Sequence, residues 1–347
     1  RPHRFVDFLL STCILLVIGI PSASDAESLH WSKLPAIPNR EGLAGMFVGV
    51  HNGALLVAGG ANFPGKPPWQ GGAKAWHDSV FVLENEQGPW RILGRLPRPL
   101  AYGLSISTQQ GLLCLGGSDA QRHYAESFLL RWEAGKLTTT PLPSLPRPCA
   151  NLCGAMLGGR VYVAGGIETV DSTSALKTFW MLDLNQDPPR WQELPPWPGP
   201  ARMLAVAAAQ DQSVFLLSGV DLTSDSAGKP VRHYLRDAYR FRPDQGWERV
   251  SDLPRPAAAA PSPAATLGPS TLLVLGGDDG SKLGFEPVDQ HPGFSRSLLA
   301  YHTITDTWHE RESLPAAVVT TSMVRWNAHF VIPSGEIRPG VRSPDVW

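Results

Sequence analysis

Charge of either sign is scarce in this chain. Only 18% of its 347 residues are Asp, Glu, Lys or Arg, and 30 basic residues nearly cancel 31 acidic ones, for a formal net charge of -1. That balance provides no basic field for nucleic acid and no polybasic patch for an anionic membrane. Cysteine is scarce too: four residues, of which Cys13 lies in the leading apolar run, leaving Cys114, Cys149 and Cys153. An odd number without framework spacing excludes a disulfide-stapled scaffold. The residues leave open a single bridge between Cys149 and Cys153 or three buried free thiols on strands. The leading apolar run covers residues 8–20. It is too short for a bilayer helix, which needs about 20 residues. With Arg1 and Arg4 before it and Ser22, Ala23, Ser24 and Ala26 after it, the segment has the layout of a secretory signal. Residues 1–26 are expected to be removed after Ser24 or Ala26, with export to a periplasm.

Against these shortages stand 34 Gly, 33 Pro and 12 Trp in a chain that is still 43% hydrophobic. Disorder is excluded by the apolar content, and helix bundles by so many helix-breaking residues. Many short strands joined by turns, an all-β fold, are expected. An internal repeat sharpens this. An apolar run ending in Gly-Gly or Ser-Gly recurs as LLVAGG (55–60), LLCLGG (112–117), VYVAGG (161–166), VFLLSG (214–219), LLVLGG (272–277) and HFVIPSG (329–335). The second glycines stand 57, 49, 53, 58 and 58 residues apart. Such periods belong to propellers.

Each repeat continues with a second β-rich run, such as HDSVFVL (77–83) or RDAYRFR (236–242). A further strand follows, led by Trp90, Trp191, Trp247 or Trp308, with Leu137 substituting in the second repeat. Doubled glycine, downstream Trp and spacing resemble kelch repeats, which implies a six-bladed kelch-type β-propeller over residues 27–347. The last repeat stops after its third strand, and an unpartnered strand at residues 31–34 opens the mature chain. That N-terminal strand is expected to complete the last blade and close the ring without an open edge.

Long loops follow the glycine pairs at residues 61–76, 220–234 and 278–294, the usual places for a binding site on a rigid scaffold. The sixth loop is short and reads Ser334-Gly-Glu-Ile-Arg-Pro-Gly-Val-Arg342. An acid with cations two and six positions later is, on composition, equally a solvated ion pair. The string resembles a turn of the N-acetylneuraminate epimerase (sialic acid mutarotase) family: a small residue, Gly, Glu, any residue, a basic residue, Pro, Gly, any residue, Arg. Gly59-Gly60-Ala61-Asn62-Phe63, Ala101-Tyr102-Gly103 and Pro200-Ala201-Arg202 resemble further family segments. The order of blades departs from that of the best-known members and is similar to a circular permutation, and Leu100 stands where the family carries Arg.

This resemblance implies interconversion of the α and β anomers of N-acetylneuraminate through ring opening, with Glu336 as general base and Arg342 as the catalytic cation for the substrate carboxylate. It assigns Arg202, Asn62 and Tyr102 to substrate binding. The reaction needs no metal and no cofactor. The implied partner is a small sugar acid; oligomeric state leaves no trace in the sequence. The alternative is a non-catalytic kelch propeller that binds glycans or proteins. A sialidase Asp-box, S-x-D-x-G-x-T-W, is absent, and His77, His233 and His291 lack the paired spacing of copper ligands. Trp69 and Trp76 are the loop tryptophans that could face a ligand, with packing as their simpler role.

Overall fold

Each glycine pair ends a strand that is buried on both faces. Ala54–Ala58, Gly111–Leu115 and Ser213–Leu217 have no exposed residue along their lengths. Continuous apolar runs of this kind form strands when sheets cover both sides. A computed structural model describes residues 29–347, of which Ser32–Trp347 form one compact unit. The expected signal, residues 1–26, lies outside the described residues. Among the described residues no helix is long and apolar enough to cross a membrane.

Five antiparallel four-stranded sheets follow one another along the chain. The first joins Phe47–His51, Ala54–Ala58, Ser79–Leu83 and Arg91–Arg95. The second runs from Leu104–Thr108 to Lys136–Leu142, the third from Cys153–Leu157 to Trp191–Glu193, the fourth from Val206–Gln210 to Gly246–Val250, and the fifth from Ala265–Leu267 to Thr307–Ser313. In the sixth repeat Val324–Trp326 pairs with His329–Val331. Beyond that pair, Ile332 and Trp347 exchange both backbone hydrogen bonds, at 2.8 and 3.0 Å, and Val346 bridges both Pro333 and Leu34. The contact expected of residues 31–34 is therefore a single bridge at Leu34. Pro35 follows it and has no N–H to extend a ladder.

The core lies between neighbouring sheets. Phe47, Leu56 and Val80 of the first meet Leu112, Phe128 and Leu130 of the second, whereas Leu55, Val57 and Phe81 meet Trp326, Val331 and Val346 of the sixth repeat. The tryptophans of the outer strands tie each sheet to the one before. Trp191 Nε1 donates to Pro143 O (2.8 Å), Trp247 to Pro195 O (3.0 Å) and Trp308 to Ser251 O (2.8 Å). Trp90 makes the same bond to Pro35 O at 2.7 Å, so the N-terminal segment stands where a preceding outer strand would.

The three cysteines here are free and buried, which resolves the alternative left by the sequence. Burial pushes the Cys114 and Cys149 thiols well up and the Cys153 thiol up to about 12, the last partly offset by the Arg202 charge.

Six residues, one ahead of the first strand of each repeat, have backbones in the left-handed region: Gly45, Tyr102, Asn151, Leu204, Ala259 and Thr320. Each amide donates to the carbonyl of the preceding member at 2.6–2.9 Å, and Gly45 N donates to Thr320 O, which returns the chain of bonds to its start. A left-handed backbone costs about 1–2 kcal/mol at a residue with a side chain. The cycle of hydrogen bonds offsets that cost and builds a rigid polar floor.

Candidate active site

Immediately after each second glycine one residue bridges back to the neighbour of this floor: Ala61 to Ala44, Ser118 to Ala101, Ile167 to Ala150, Val220 to Met203, Asp278 to Ala258 and Glu336 to Val319. The repeat thus places six equivalent positions around one mouth, and two of them carry carboxylates. Above the floor opens a cavity of about 680 Å³, which Tyr102, Asn151, Leu204, Ala259 and Thr320 underlie and the long loops wall in. The size suits a ligand of one sugar ring with substituents.

Glu336 and Arg342 enter this cavity from one hairpin, Glu336–Arg338 paired with Val341–Arg342, in which the two residues are cross-strand partners. The expected third strand of the sixth repeat begins later than Arg342, so this arginine belongs to the turn. Glu336 Oε1 accepts the Gly340 N–H at 2.8 Å. Oε2 has only contacts of 3.5 Å, to Thr320 Oγ1 and Arg342 Nη2, and the Thr320 hydroxyl already bonds Val319 O at 2.7 Å. Oε2 is the oxygen left to act. Gly340 has φ +77°, and a Cβ there would lie 2.6 Å from Pro68 Cγ, so only glycine lets the first long loop close over this turn.

The Arg342 side chain is 5% exposed, and its guanidinium stands 4.9 Å from the Phe63 ring centre. Its Nε and Nη1 have no protein partner among the described residues. Buried donors are normally paired, so an arginine held this way implies a ligand acceptor or water. Lys74 also lines the cavity, over the rings of Tyr102 (4.3 Å) and Trp76 (4.8 Å), without a carboxylate partner among the described residues. Trp69 instead packs its edge on the Gly340 turn.

In the neighbouring ring position Asp278 Oδ1 accepts the Gly280 N–H (3.0 Å) and Oδ2 accepts the Tyr234 hydroxyl (2.7 Å). Burial, then the bond to Asp278, pushes the Tyr234 phenol up to about 12. His291 is 6% exposed, and its Nδ1 accepts the Gly293 N–H, which leaves Nε2 as the ring's donor. His123, another lining residue, is held below its ordinary value by burial. Among the described residues no three His, Cys, Asp or Glu side chains converge as a metal-ligand set.

Of the five expected site residues, Glu336, Arg342 and Tyr102 share this cavity, and two do not reach it. Arg202 is fully buried behind the floor. It donates to Asp237 Oδ2 (2.7 Å) and Ser218 O (2.8 Å) and stands 5.4 and 5.3 Å from the Trp197 and Tyr239 rings. Its charge is spent on the fold because Asp237, 35 residues downstream, supplies the counter-ion, while Met203 and Leu204 face the cavity instead. Asn62 is 1% exposed, with Nδ2 on Asn39 Oδ1 (3.0 Å) and Gly42 O (2.9 Å) and Oδ1 on His77 Nε2 (2.8 Å). Both ends of the amide are occupied, and it holds the loop that presents Phe63. Lys74, Tyr234 and Asp278 were missed. Aligning Gly-Gly-Asp278 on Ser-Gly-Glu336 is the signal that finds Asp278; Tyr234 has none.

The sequence profile described as N-acetylneuraminate epimerase matches residues 21–139 and 142–284. Curated proteins named N-acetylneuraminate epimerase are similar over shorter stretches. One from Haemophilus influenzae (strain PittEE) is 37% identical over 128 residues, 33% of this chain and 34% of that protein. One from Yersinia pestis (strain Pestoides F) is 41% identical over 127 residues, 31% of each. The chain therefore spans about a third of the length of the curated relatives it matches. A solved structure titled "Structure of YjhT" superposes with a TM-score of 0.67 at 14% identity, over 91% of this chain and 96% of that one. That likeness concerns the fold. Glu336 and Arg342 lie beyond the profile match, so their pairing rests on geometry.

Proposed function

The chain belongs to the N-acetylneuraminate epimerase family, and from that premise we propose that it interconverts the α and β anomers of N-acetylneuraminate or a closely related sugar acid. The scaffold in this reading is a six-bladed propeller closed by the N-terminal segment. The hydrogen-bond cycle through Gly45 and Thr320, and the place of Pro35 in the tryptophan series, support it. Export to a periplasm by the segment 1–26 is part of the same reading.

One observation carries the chemistry: a carboxylate with one free oxygen stands beside a buried arginine with two unpaired donors, at the wall of a cavity of about 680 Å³. The unpaired Arg342 donors suit a ligand carboxylate, which accepts charge-assisted hydrogen bonds from a guanidinium. In N-acetylneuraminate the carboxylate sits on the anomeric carbon, so this contact sets the anomeric hydroxyl near Glu336. Oε2 takes the hydroxyl proton as the ring C–O bond breaks, and the ring oxygen takes its proton from water or from the Glu336 carboxyl so formed. The open keto form then turns and recloses from either face. Gly340 N–H keeps Oε1 fixed, so the base meets the proton without reorganising.

Proton NMR starting from one pure anomer tests this. Wild type should shorten the approach to equilibrium, and Glu336→Gln, which keeps the shape and removes the base, should reduce the enzymatic rate about 10²–10⁴-fold. A mutant as fast as wild type removes Glu336 from the mechanism. Binding without acceleration by the wild type makes the protein a sugar-binding module.

A further inference from the structure

The cavity wall carries donors and acceptors at fixed places. On the side of the sixth and first repeats it offers donors and cations, namely Arg342 Nε and Nη1 and the Lys74 ammonium held on two aromatic rings. On the side of the fourth and fifth repeats it offers the acceptors of Asp278 and Tyr234, with Arg232 and Lys282 in the same wall. Asp278 occupies the ring position equivalent to Glu336, one repeat earlier. Tyr234 reaches it from the strand Pro230–Tyr234, whose pairing with Val220–Ser224 fixes Tyr234 opposite Val220.

This pair is built. A Cβ on Gly280 would lie 2.5 Å from Tyr234 Cδ2, so the glycine is what lets the ring lie across the loop. The phenol proton is committed to Asp278 Oδ2 and the Gly280 amide to Oδ1, which leaves lone pairs on three oxygens and no free proton. An ionised carboxylate is an acceptor only, and a phenol whose proton is engaged can only accept. Such a pair takes hydroxyl groups. His291 Nε2, on the same loop, supplies a donor beside it.

We infer that Tyr234 and Asp278 form a polyol subsite, which binds the hydroxylated side chain of a sugar acid whose carboxylate lies at Arg342. This rests on the sugar-acid reading above and deepens it. The buried, unpaired Arg342 donors orient the ligand: reversal would put the carboxylate against Asp278 and leave hydroxyls on Arg342. The two residues act in binding and discrimination and not in the proton transfer at Glu336.

The test compares N-acetylneuraminate with an analogue truncated in its glycerol side chain, in wild type, Tyr234→Phe and Asp278→Asn. Initial anomerisation rates and saturation-transfer NMR of each bound sugar are the two readouts. Loss of hydrogen bonds to a charged acceptor predicts that the kcat/KM preference for the full-length sugar falls about 10-fold in Asp278→Asn, expressed mainly in KM, and less in Tyr234→Phe. Saturation of the side-chain protons should be strong with wild type and lost in Asp278→Asn. Variants that keep the wild-type preference overturn the subsite while the mutarotase reading stands. Wild type that saturates those protons without accelerating anomerisation overturns the mutarotase reading and leaves the subsite. Wild type that leaves the side-chain protons unsaturated overturns the subsite.

Discussion

Arg202 and Arg342 look alike in the sequence and in their surroundings: each is nine-tenths buried or more, each has a carboxylate beside it, and each lies near aromatic rings. They differ in what is left over. Arg202 is 2.7 Å from Asp237 and also holds Ser218 O, and it does not line the cavity, so its one unpaired nitrogen, Nε, is not offered to a ligand there. Arg342 is 3.5 Å from Glu336 and leaves two donors unpaired at the wall of the cavity of about 680 Å³. A tight buried pair fixes a fold, because removing one partner strands the other charge. A loose pair with unused donors keeps its binding capacity for something else.

The largest expected effect separates the two directly. Arg202→Met should lower unfolding free energy by about 3–5 kcal/mol, the cost of an uncompensated buried Asp237. Arg342→Met should cost about 1 kcal/mol or less, since its pair is loose. Urea denaturation of both variants checks this, and equal losses would erase the contrast.

Alkaline pH probes the Arg202 side next. Cys114, Cys149 and Cys153 have folded-state values raised above 9.0, so the unfolded chain loses these protons first. Their contribution is complete below pH 9 and is lost as pH rises from there toward the folded values, by about 1.4 kcal/mol per thiol per pH unit. Stability measured at pH 8 and 10 should show this decline, and Cys153→Ala should make it shallower. Arg342→Lys sharpens the other side. It keeps the charge and loses the planar fork, so KM should rise about 10-fold with kcat little altered in steady-state anomerisation.

Acid should give the smallest change. His77 and His123 are held below 6.5, chiefly by burial, so the unfolded chain binds their protons first. Stability should fall as pH drops below 6.5, which thermal unfolding at pH 5 and 7 checks.

The repeat was legible because glycine pairs and outer tryptophans answer to local constraints: left-handed backbone after an apolar strand, and an indole N–H that needs a carbonyl from the preceding sheet. Glu336 was legible for the same reason, since it follows Gly335 directly. Arg202 was misread because its partner, Asp237, lies in a run that reads as an ordinary strand. Asn62 was misread because a buried amide with Asn39 and His77 as partners looks, in one dimension, like any loop asparagine. Tyr234 joins Asp278 across two repeats, and no local pattern marks a contact between long loops.

The central claim is that the Glu336–Arg342 turn works on a ligand while the Arg202–Asp237 pair holds the scaffold. The most direct measurement is the anomerisation rate of N-acetylneuraminate per folded molecule for wild type, Arg202→Met and Arg342→Met. The account predicts a wild-type rate for folded Arg202→Met and at least a 10-fold loss for Arg342→Met. A 10-fold loss confined to Arg202→Met, with Arg342→Met as fast as wild type, would contradict it.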